Sequence, residues 1–355
     1  MTMENNLDNN DIVLASEGEE NDLYEHHRIV VDRGQEMLRI DKFLFMRLEG
    51  ISRNKIQAAA KAQCIVVNGR AVKSNYRVKP LDTISVLLPE PPHDFELLPE
   101  PIDLNVVYED DDVMVIDKPA GLVVHPGVGN FSGTLLNGLL YYLQGKTTRD
   151  GAAATPYLVH RIDKDTSGLL LVAKNEDAQV VLAKQFFDHT IERKYNALVW
   201  GDFAEDDGTI DGNLERSPKD RRVMMVTDPD RGKHAVTHWH VIERFGYVTL
   251  VECVLETGRT HQIRAHMRYI GHPLFNDAAY GGNEILKGTT FSKYKQFVSN
   301  CFQMLPRQAL HARILGFEHP TTNQHMHFES PMPADMSAAI EKWRNYAQHV
   351  STFEE

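Results

Sequence analysis

The pattern of apolar and polar positions splits the chain into a short helix-and-strand module, a proline-rich break and a long strand-rich remainder. Leu38, Ile40, Phe43, Leu44 and Leu48 fall at helical spacing, which predicts a helix over 38–48. Ser52 is placed to cap a second helix over 53–62, rich in Ala, Lys and Gln. Residues 65–67, Asn68-Gly69 and 70–72 read as strand, tight turn and strand, because an Asn-Gly pair accepts the positive φ of a two-residue hairpin. A further strand is expected over 82–88. Pro89, Pro91, Pro92, Pro99 and Pro101 then mark a semi-rigid linker over 89–102.

From residue 103 the pattern changes. Two apolar runs, 106–108 and 113–116, flank the acidic turn 109–112 as in a hairpin. In the segment 118–127, Pro and Gly force turns on either side of a short apolar strand. Helices are expected over 135–143, over 176–189 behind Asn175 as N-cap, and over 259–270. Strands are expected over 169–173, 192–200, 236–243 and 247–256, and 211–234 reads as a polar, basic segment. No internal repeat is visible. Many strands with few helices predict an α+β fold, with a tail over 1–28, a small module over 29–88, the linker over 89–102 and a large domain over 103–347.

Composition fits a soluble globular protein, with 42% hydrophobic and 25% charged residues. No stretch approaches the ~20 apolar residues that span a bilayer, so no membrane association is expected. No basic patch followed by an apolar run opens the sequence, so no secretory signal is expected. Cys64, Cys253 and Cys301 are odd in number and far apart, which argues for a reducing, cytoplasmic setting. The formal net charge of -12 speaks against a nucleic-acid partner until its distribution is considered. Residues 1–25 hold eight acidic residues and no Lys or Arg, and are expected to be disordered. Residues 33–80 hold eleven Lys and Arg against Glu36, Asp41 and Glu49. A basic module behind an acidic tail suggests a polyanion partner.

The chemistry centres on His160-Arg161-Ile162-Asp163-Lys164-Asp165-Thr166-Ser167-Gly168-Leu169, a polar loop feeding a buried strand. Three readings of its aspartates compete. Asp165, Thr166 and Ser167 suit a turn. An aspartate could instead take up a phosphoryl group, although that chemistry needs Mg²⁺ and further carboxylates. A carboxylate could also act at the anomeric carbon of a sugar. The histidines form no recognisable metal site: His261 and His266 are five residues apart, and His325 and His327 share a strand face without paired cysteines.

The stretch resembles the signature of the pseudouridine synthases that act on large ribosomal RNA and some tRNAs. Four more segments match that family, in its order: Lys118-Pro119-Ala120-Gly121-Leu122-Val123-Val124-His125-Pro126, Glu192-Arg193-Lys194-Tyr195, Glu256-Thr257-Gly258-Arg259-Thr260-His261-Gln262-Ile263-Arg264-Ala265-His266, and Arg307-Gln308-Ala309-Leu310-His311-Ala312. Ile162 stands where the family more often has Leu, a volume-conserving change. Residues 38–88, with Ser52-Arg53-Asn54-Lys55-Ile56 and Val67-Asn68-Gly69, resemble the small RNA-binding module named after small-subunit ribosomal protein four.

The resemblance implies a cofactor-free RNA uridine isomerase of pseudouridine synthase fold. Asp163 would be the catalytic carboxylate, Tyr195 would lie against the uracil and serve in proton removal, and Arg264 would pair with Asp163. Ile263 would floor the base. Arg161 would fill the stack left by the flipped nucleotide. His311 would be a packing or hydrogen-bonding residue. Arg53, Lys55, Arg70, Arg221 and Arg222 would neutralise RNA phosphates. The implied partner is ribosomal RNA, in particular the large-subunit interface stem-loop (helix 69 of 23S rRNA), bound by a monomer. A catalytically silent RNA-binding assembly factor is the main alternative, and a phosphotransferase the next.

Overall fold

The computed structural model describes residues 24–48, 53–88, 97–127, 130, 132–218, 220 and 222–351. Ser52, Lys219, Arg221, the first part of the acidic tail and residues 89–96 of the linker lie outside them. The chain divides into two compact units. One contains the described residues up to Leu98 together with the segment 126–132, and the other contains Pro99–His125 and the chain from Gly133.

The first unit comprises β1 (Tyr24–Val30), α1 (Ile40–Arg47), α2 (Arg53–Lys61), β2 (Ile65–Val67), β3 (Arg70–Ala71) and β4 (Thr83–Leu88). Its antiparallel sheet has the order β1-β4-β2-β3. Asn68 and Gly69 both take positive φ, and the Asn68 side-chain oxygen accepts from the Thr83 N–H at 2.9 Å. Ile40, Phe43, Leu44, Ile56, Ile65, Val67 and Ile84 form the core. Asp41 is fully buried and accepts from Arg39, Arg53 and Gln57. Burial would raise its carboxyl, but these donors outweigh that and hold it well below the usual carboxylate range.

The strand β1 corrects the expected extent of the tail. Residues 24–28 are paired with β4 because Tyr24, Ile29 and Val30 suit an edge strand, and the acidic composition ahead of them masked that.

The second unit holds β5 (Val106–Glu109), β6 (Val113–Lys118), α3 (Leu135–Leu143), β7 (Tyr157–Leu158), β8 (Ser167–Ala173), α4 (Glu176–Phe187), β9 (Glu192–Trp200), β10 (Asp207–Arg216), β11 (Met224–Thr227), β12 (Lys233–Arg244), β13 (Val248–Leu255), α5 (Gln262–Tyr269), α6 (Ser292–Met304), β14 (Leu310–Glu318), β15 (His325–Glu329) and α7 (Ala334–Ser351). The sheet runs β11-β10-β12-β13-β9-β14-β8-β6-β5, with β15 added to β14 and β7 to β8. The expected α+β class stands, since helices flank a largely antiparallel sheet. No helix among the described residues is long and apolar enough to cross a membrane.

Alternation along the strands separates two cores. Met114, Ile116, Leu170, Val172, Tyr195 and Ala197 face α3 and α5. Val113, Val115, Leu169 and Leu171 face α4, and Leu198 and Trp200 face α6 and α7. β8 is buried along its whole length, as its unbroken apolar run requires.

Three expectations change. The Leu122-Val123-Val124 segment joins no ladder, because its Val123 and Val124 carbonyls accept the Leu135 and Leu136 N–H groups at the start of α3. The polar segment 211–234 is half strand: β10 and β11 pair into a hairpin whose charged residues lie on β10. The linker ends earlier than residue 102, since the Glu100 N–H bonds the Asn137 carbonyl at 3.0 Å and Gly138 leaves room for Ile102.

Among the described residues, the only parallel contact in the sheet joins β8 to β14 over His311↔Ser167 and Ala312↔Gly168. Gly168 has φ +111, and a Cβ there would collide with the Ala312 carbonyl. Gly168→Ala should therefore cost about 2–4 kcal/mol, from strain and overpacking together. A thermal melt of the full chain checks this, with a clearly lowered midpoint as the expected outcome.

Candidate active site

Residues 161–166 form the loop ahead of β8, with a turn at Lys164 and Asp165. Three buried cations from distant parts of the chain grip it. Lys118, at the end of β6, donates to the carbonyls of Pro119 at 2.8 Å, Leu122 at 2.9 Å and Lys164 at 2.9 Å. Burial pushes its ammonium down, to about 7, while Asp163 and Asp165 pull the other way. Three acceptors require three N–H groups, so this geometry belongs to the charged form. Arg307 donates from Nη1 to the Asp165 carbonyl at 3.0 Å and pairs through Nε and Nη2 with Asp335 at 2.7 and 3.0 Å.

Arg264, on the first turn of α5, holds the carboxylate itself. Its Nη1 donates to Oδ2 of Asp163 at 2.8 Å. Its Nε and Nη2 donate to the two oxygens of Asp277 at 2.7 and 2.9 Å, the fork that best fixes a guanidinium plane. Tyr280 lies under this guanidinium, 4.9 Å from ring centre to carbon. The Tyr280 hydroxyl shares a 3.0 Å hydrogen bond with His261 Nδ1, and His261 Nε2 stands 3.8 Å from the second oxygen of Asp163.

The stretch before α5 is folded to aim these groups. His261 takes the left-handed conformation at the N-cap. The Gln262 side-chain oxygen accepts from the Thr257 hydroxyl at 2.8 Å and the Arg259 N–H at 2.9 Å, and its NH₂ reaches the Val236 carbonyl at 2.9 Å. Gly258 has no side chain because a Cβ would stand 2.6 Å from Nη1 of Arg193.

Asp163 is partly open, with its side chain 18% exposed. Burial works against its ionisation, but His261, Arg264 and Arg161 outweigh it and hold the carboxyl below the usual range. Arg264 is charged at every accessible pH, so it is the dependable member of that group. Tyr195, central on β9 between Cys253 and Ala312, is buried in the same apolar cluster as Ile162 and Ile263. Burial and the charge of Asp163 raise its phenol, and Arg193 opposes them. Arg193 is itself buried, makes one 3.3 Å bond to the Glu256 carbonyl and lies against the Phe186 ring.

Asp163, Tyr195, Arg264, Ile263 and Arg161 thus fall within one unit, with Arg161 exposed and its charge acting on Asp163. Arg222 is exposed and paired with Asp220 at 2.8 Å. Arg221 lies outside the described residues. Arg53, Lys55 and Arg70 belong to the other unit. There, Arg53 braces α2 against Asp41 of α1, Arg70 is exposed on β3, and Lys55 lies on α2. His311 shares a 3.0 Å hydrogen bond with Ser167, tying β14 to the start of β8. His160 accepts the Leu171 N–H at 2.8 Å and stacks on Phe186, and burial first and then Arg193 push it down to about 3, so it is a neutral structural residue.

Sequence reasoning missed Asp277 and Tyr280. It quoted Lys118, Arg193 and Arg307 only as parts of matching segments. The available signal was a set of cations at positions where the apolar pattern predicts burial.

An ionised, oriented carboxylate beside an apolar floor and a phenol suits action on a neutral ring carried by a sugar. The neighbours of Asp163 are cations, whereas phosphotransfer needs further carboxylates around a magnesium ion. Residues 112–269 match the family model described as RNA pseudouridylate synthase, and residues 38–84 match the S4 domain. An uncharacterised RNA pseudouridine synthase of Bacillus subtilis (strain 168) is 47% identical over 316 residues, covering 89% of this chain and 97% of that protein. A ribosomal large subunit pseudouridine synthase D of Zymomonas mobilis is 42% identical over 302 residues, covering 84% and 91%. The solved human RNA pseudouridylate synthase domain containing 4 shares the fold, with TM-score 0.50 at 21% identity over 68% of this chain and 93% of that one. With the site geometry and these relatives together, the chain belongs to the RNA pseudouridine synthase family, as an enzyme with an N-terminal S4 domain.

Proposed function

We propose that this pseudouridine synthase isomerises uridines of large-subunit ribosomal RNA, with helix 69 of 23S rRNA as its target, and that Asp163 carries the chemistry. The observation behind the second part is the Arg264 bridge, which fixes one oxygen of an ionised Asp163 and leaves the other facing the site. The first part rests on relatives named ribosomal large subunit pseudouridine synthase D and on the basic S4 domain. The reading includes a cytoplasmic monomer, in keeping with three cysteines that are free and buried.

The free oxygen of Asp163 attacks the anomeric carbon of the target ribose or takes the proton beside it. Either route breaks the bond between that carbon and N1 of uracil, whose electron pair leaves with the ring. The detached ring, held over Ile263, turns so that C5 bonds to the anomeric carbon; this displaces the Asp163 carboxylate in the first route, and in the second Asp163 returns the proton to the ribose. The C5 proton is then lost, with the Tyr195 hydroxyl as its relay, and N1 gains one. Atoms and electrons balance without a co-reactant. Arg161, at the exposed rim of the loop, fills the stack vacated by the flipped nucleotide.

Asp163→Asn should bind RNA and form no pseudouridine, as read by a gel shift beside a single-turnover assay; turnover by that variant would remove Asp163 from its role. In rRNA from cells lacking the gene, pseudouridine should disappear from helix 69, and its persistence there would refute the target.

The charge state gives a pH test. A carboxyl held low stays ionised, and active, until pH falls through its depressed value. Arg264→Lys keeps a cation but cannot serve both carboxylates. It should lower the single-turnover rate by about 10²-fold and move the acid limb of the profile to higher pH. An unmoved limb would show that Arg264 does not hold the charge.

Removing residues 1–88 should weaken binding to structured rRNA and flatten the plot of log affinity against log salt. Equal affinity and slope would show that the S4 domain contributes nothing to binding.

A further inference from the structure

His325 and His327 sit two residues apart on β15, so both rings stand on one face of the strand. Glu329, the next residue on that face, is engaged by Arg313, but the sheet supplies a third ligand from another strand. β14 lies between β15 and β9, and Gly316 pairs with His327 on one side and with Glu192 on the other. Glu192 reaches across this gap, where a Cβ on Gly316 would stand 2.8 Å from its Oε2 and 3.5 Å from the His325 ring. Glu192, His325 and His327 therefore offer ligand atoms all within 4.8 Å of one another. Oε2 of Glu192 and Nδ1 of His327 are 3.2 Å apart. That is close to the roughly 3.3 Å edge of a tetrahedron with zinc–ligand bonds of about 2.0–2.1 Å.

The surrounding contacts fit the same purpose. Oε1 of Glu318 lies 3.1 Å from Nδ1 of His325, so Glu318 can take the ring proton and leave Nε2 as the ligand. Lys194 approaches Oε1 of Glu192 at 3.3 Å, which leaves Oε2 for the ion. All three side chains are between a third and three-fifths exposed, so an ion can enter and a water can complete its coordination.

A second group of similar composition, Asp110, Asp112 and His319, is used up internally. Asp110 accepts from Tyr108, His319 and two backbone N–H groups, and Asp112 accepts from Asn175 and Thr321. That cluster locks the β5–β6 hairpin.

We propose that Glu192, His325 and His327 form a binding site for a divalent transition-metal ion, best matched by zinc, with Glu318 orienting His325. The ion clips β9 to β15 across Gly316, three residues from Tyr195 on β9, and stabilises the folded chain by mass action.

The test uses the full chain, stripped with a chelator and titrated with zinc chloride by calorimetry, with a thermal melt alongside. One equivalent should bind at this site, and the melting temperature should rise with zinc. Glu192→Gln and His327→Ala should each weaken binding by more than about tenfold. Gly316→Ala, which keeps all three ligands but pushes on Glu192, should also weaken it. The double variant His325→Ala/His327→Ala should lose that equivalent. The proposal is overturned if the wild-type chain takes up no zinc, if the double variant binds it with unchanged affinity and stoichiometry, or if magnesium binds as well as zinc.

Discussion

The site depends on one buried guanidinium shared between two carboxylates. Arg264 is 7% exposed and Asp277 is 1% exposed, so neither charge can rely on water. Each needs the other, and losing one member of such a pair leaves an uncompensated buried charge worth about 3–5 kcal/mol. The Arg264–Asp277 fork uses two of the guanidinium nitrogens and fixes the plane. The third is then aimed at Asp163 without any freedom to turn away. Asp277 is thus a positioning residue for Asp163 at one remove. The left-handed His261, the Gln262 hydrogen bonds and the bare Cα of Gly258 follow from the same need, since each sets where α5 begins.

The loop that presents Asp163 is rigid for a related reason. A six-residue loop has backbone carbonyls that must be satisfied once it is buried. Lys118 takes that of Lys164, and Arg307 takes that of Asp165. Both cations come from segments far away in sequence, and the parallel contact at Gly168 and Ala312 brings the second one there. Three of the segments that match the family as strings are therefore parts of one clamp: Lys118, Arg264 and Arg307 each hold a different group of the same loop.

The first five helices and the Asn-Gly hairpin were legible because periodicity and turn chemistry are local, whereas α6 and α7 were not named from the sequence. The Leu122-Val123-Val124 run was not, since a short apolar run cannot say whether its carbonyls meet a strand or a helix start. The β10–β11 hairpin was hidden because β10 mixes Asp, Gly and Asn into its strand and β11 is only four residues long, which leaves little alternation to read. Asp163, Tyr195 and Arg264 were named through a family resemblance, not through spacing, and the structure brings Arg264 onto Asp163 from 101 residues away. Asp277 had no such signal: a lone aspartate 13 residues beyond Arg264 has no period and no motif. Lys118 and Arg307 run against the rule that charges face water, so the apolar pattern around them hinted at burial but only the structure shows the acceptors that offset it.

The same buried cations bear on the net charge. A chain at -12 should repel RNA if total charge decided the matter. Field at a site depends instead on the charges nearest to it and on how little water screens them. Around Asp163 stand Arg264, Arg161 and Lys118, Arg307 holds the next turn through the Asp165 carbonyl, and Arg193 is buried close to Tyr195 between the Glu256 carbonyl and the Phe186 ring. Asp277 and Asp335 neutralise two of these five, and Asp163 and Asp165 offset two more. The remainder is a positive surplus in a poorly screened place. It favours the ionised form of Asp163 and, in the proposed reaction, suits the phosphates that flank a flipped uridine. In the proposed mechanism, one arrangement of charge therefore serves both the state of the carboxylate and the recruitment of RNA, independently of the acidic residues elsewhere on the chain.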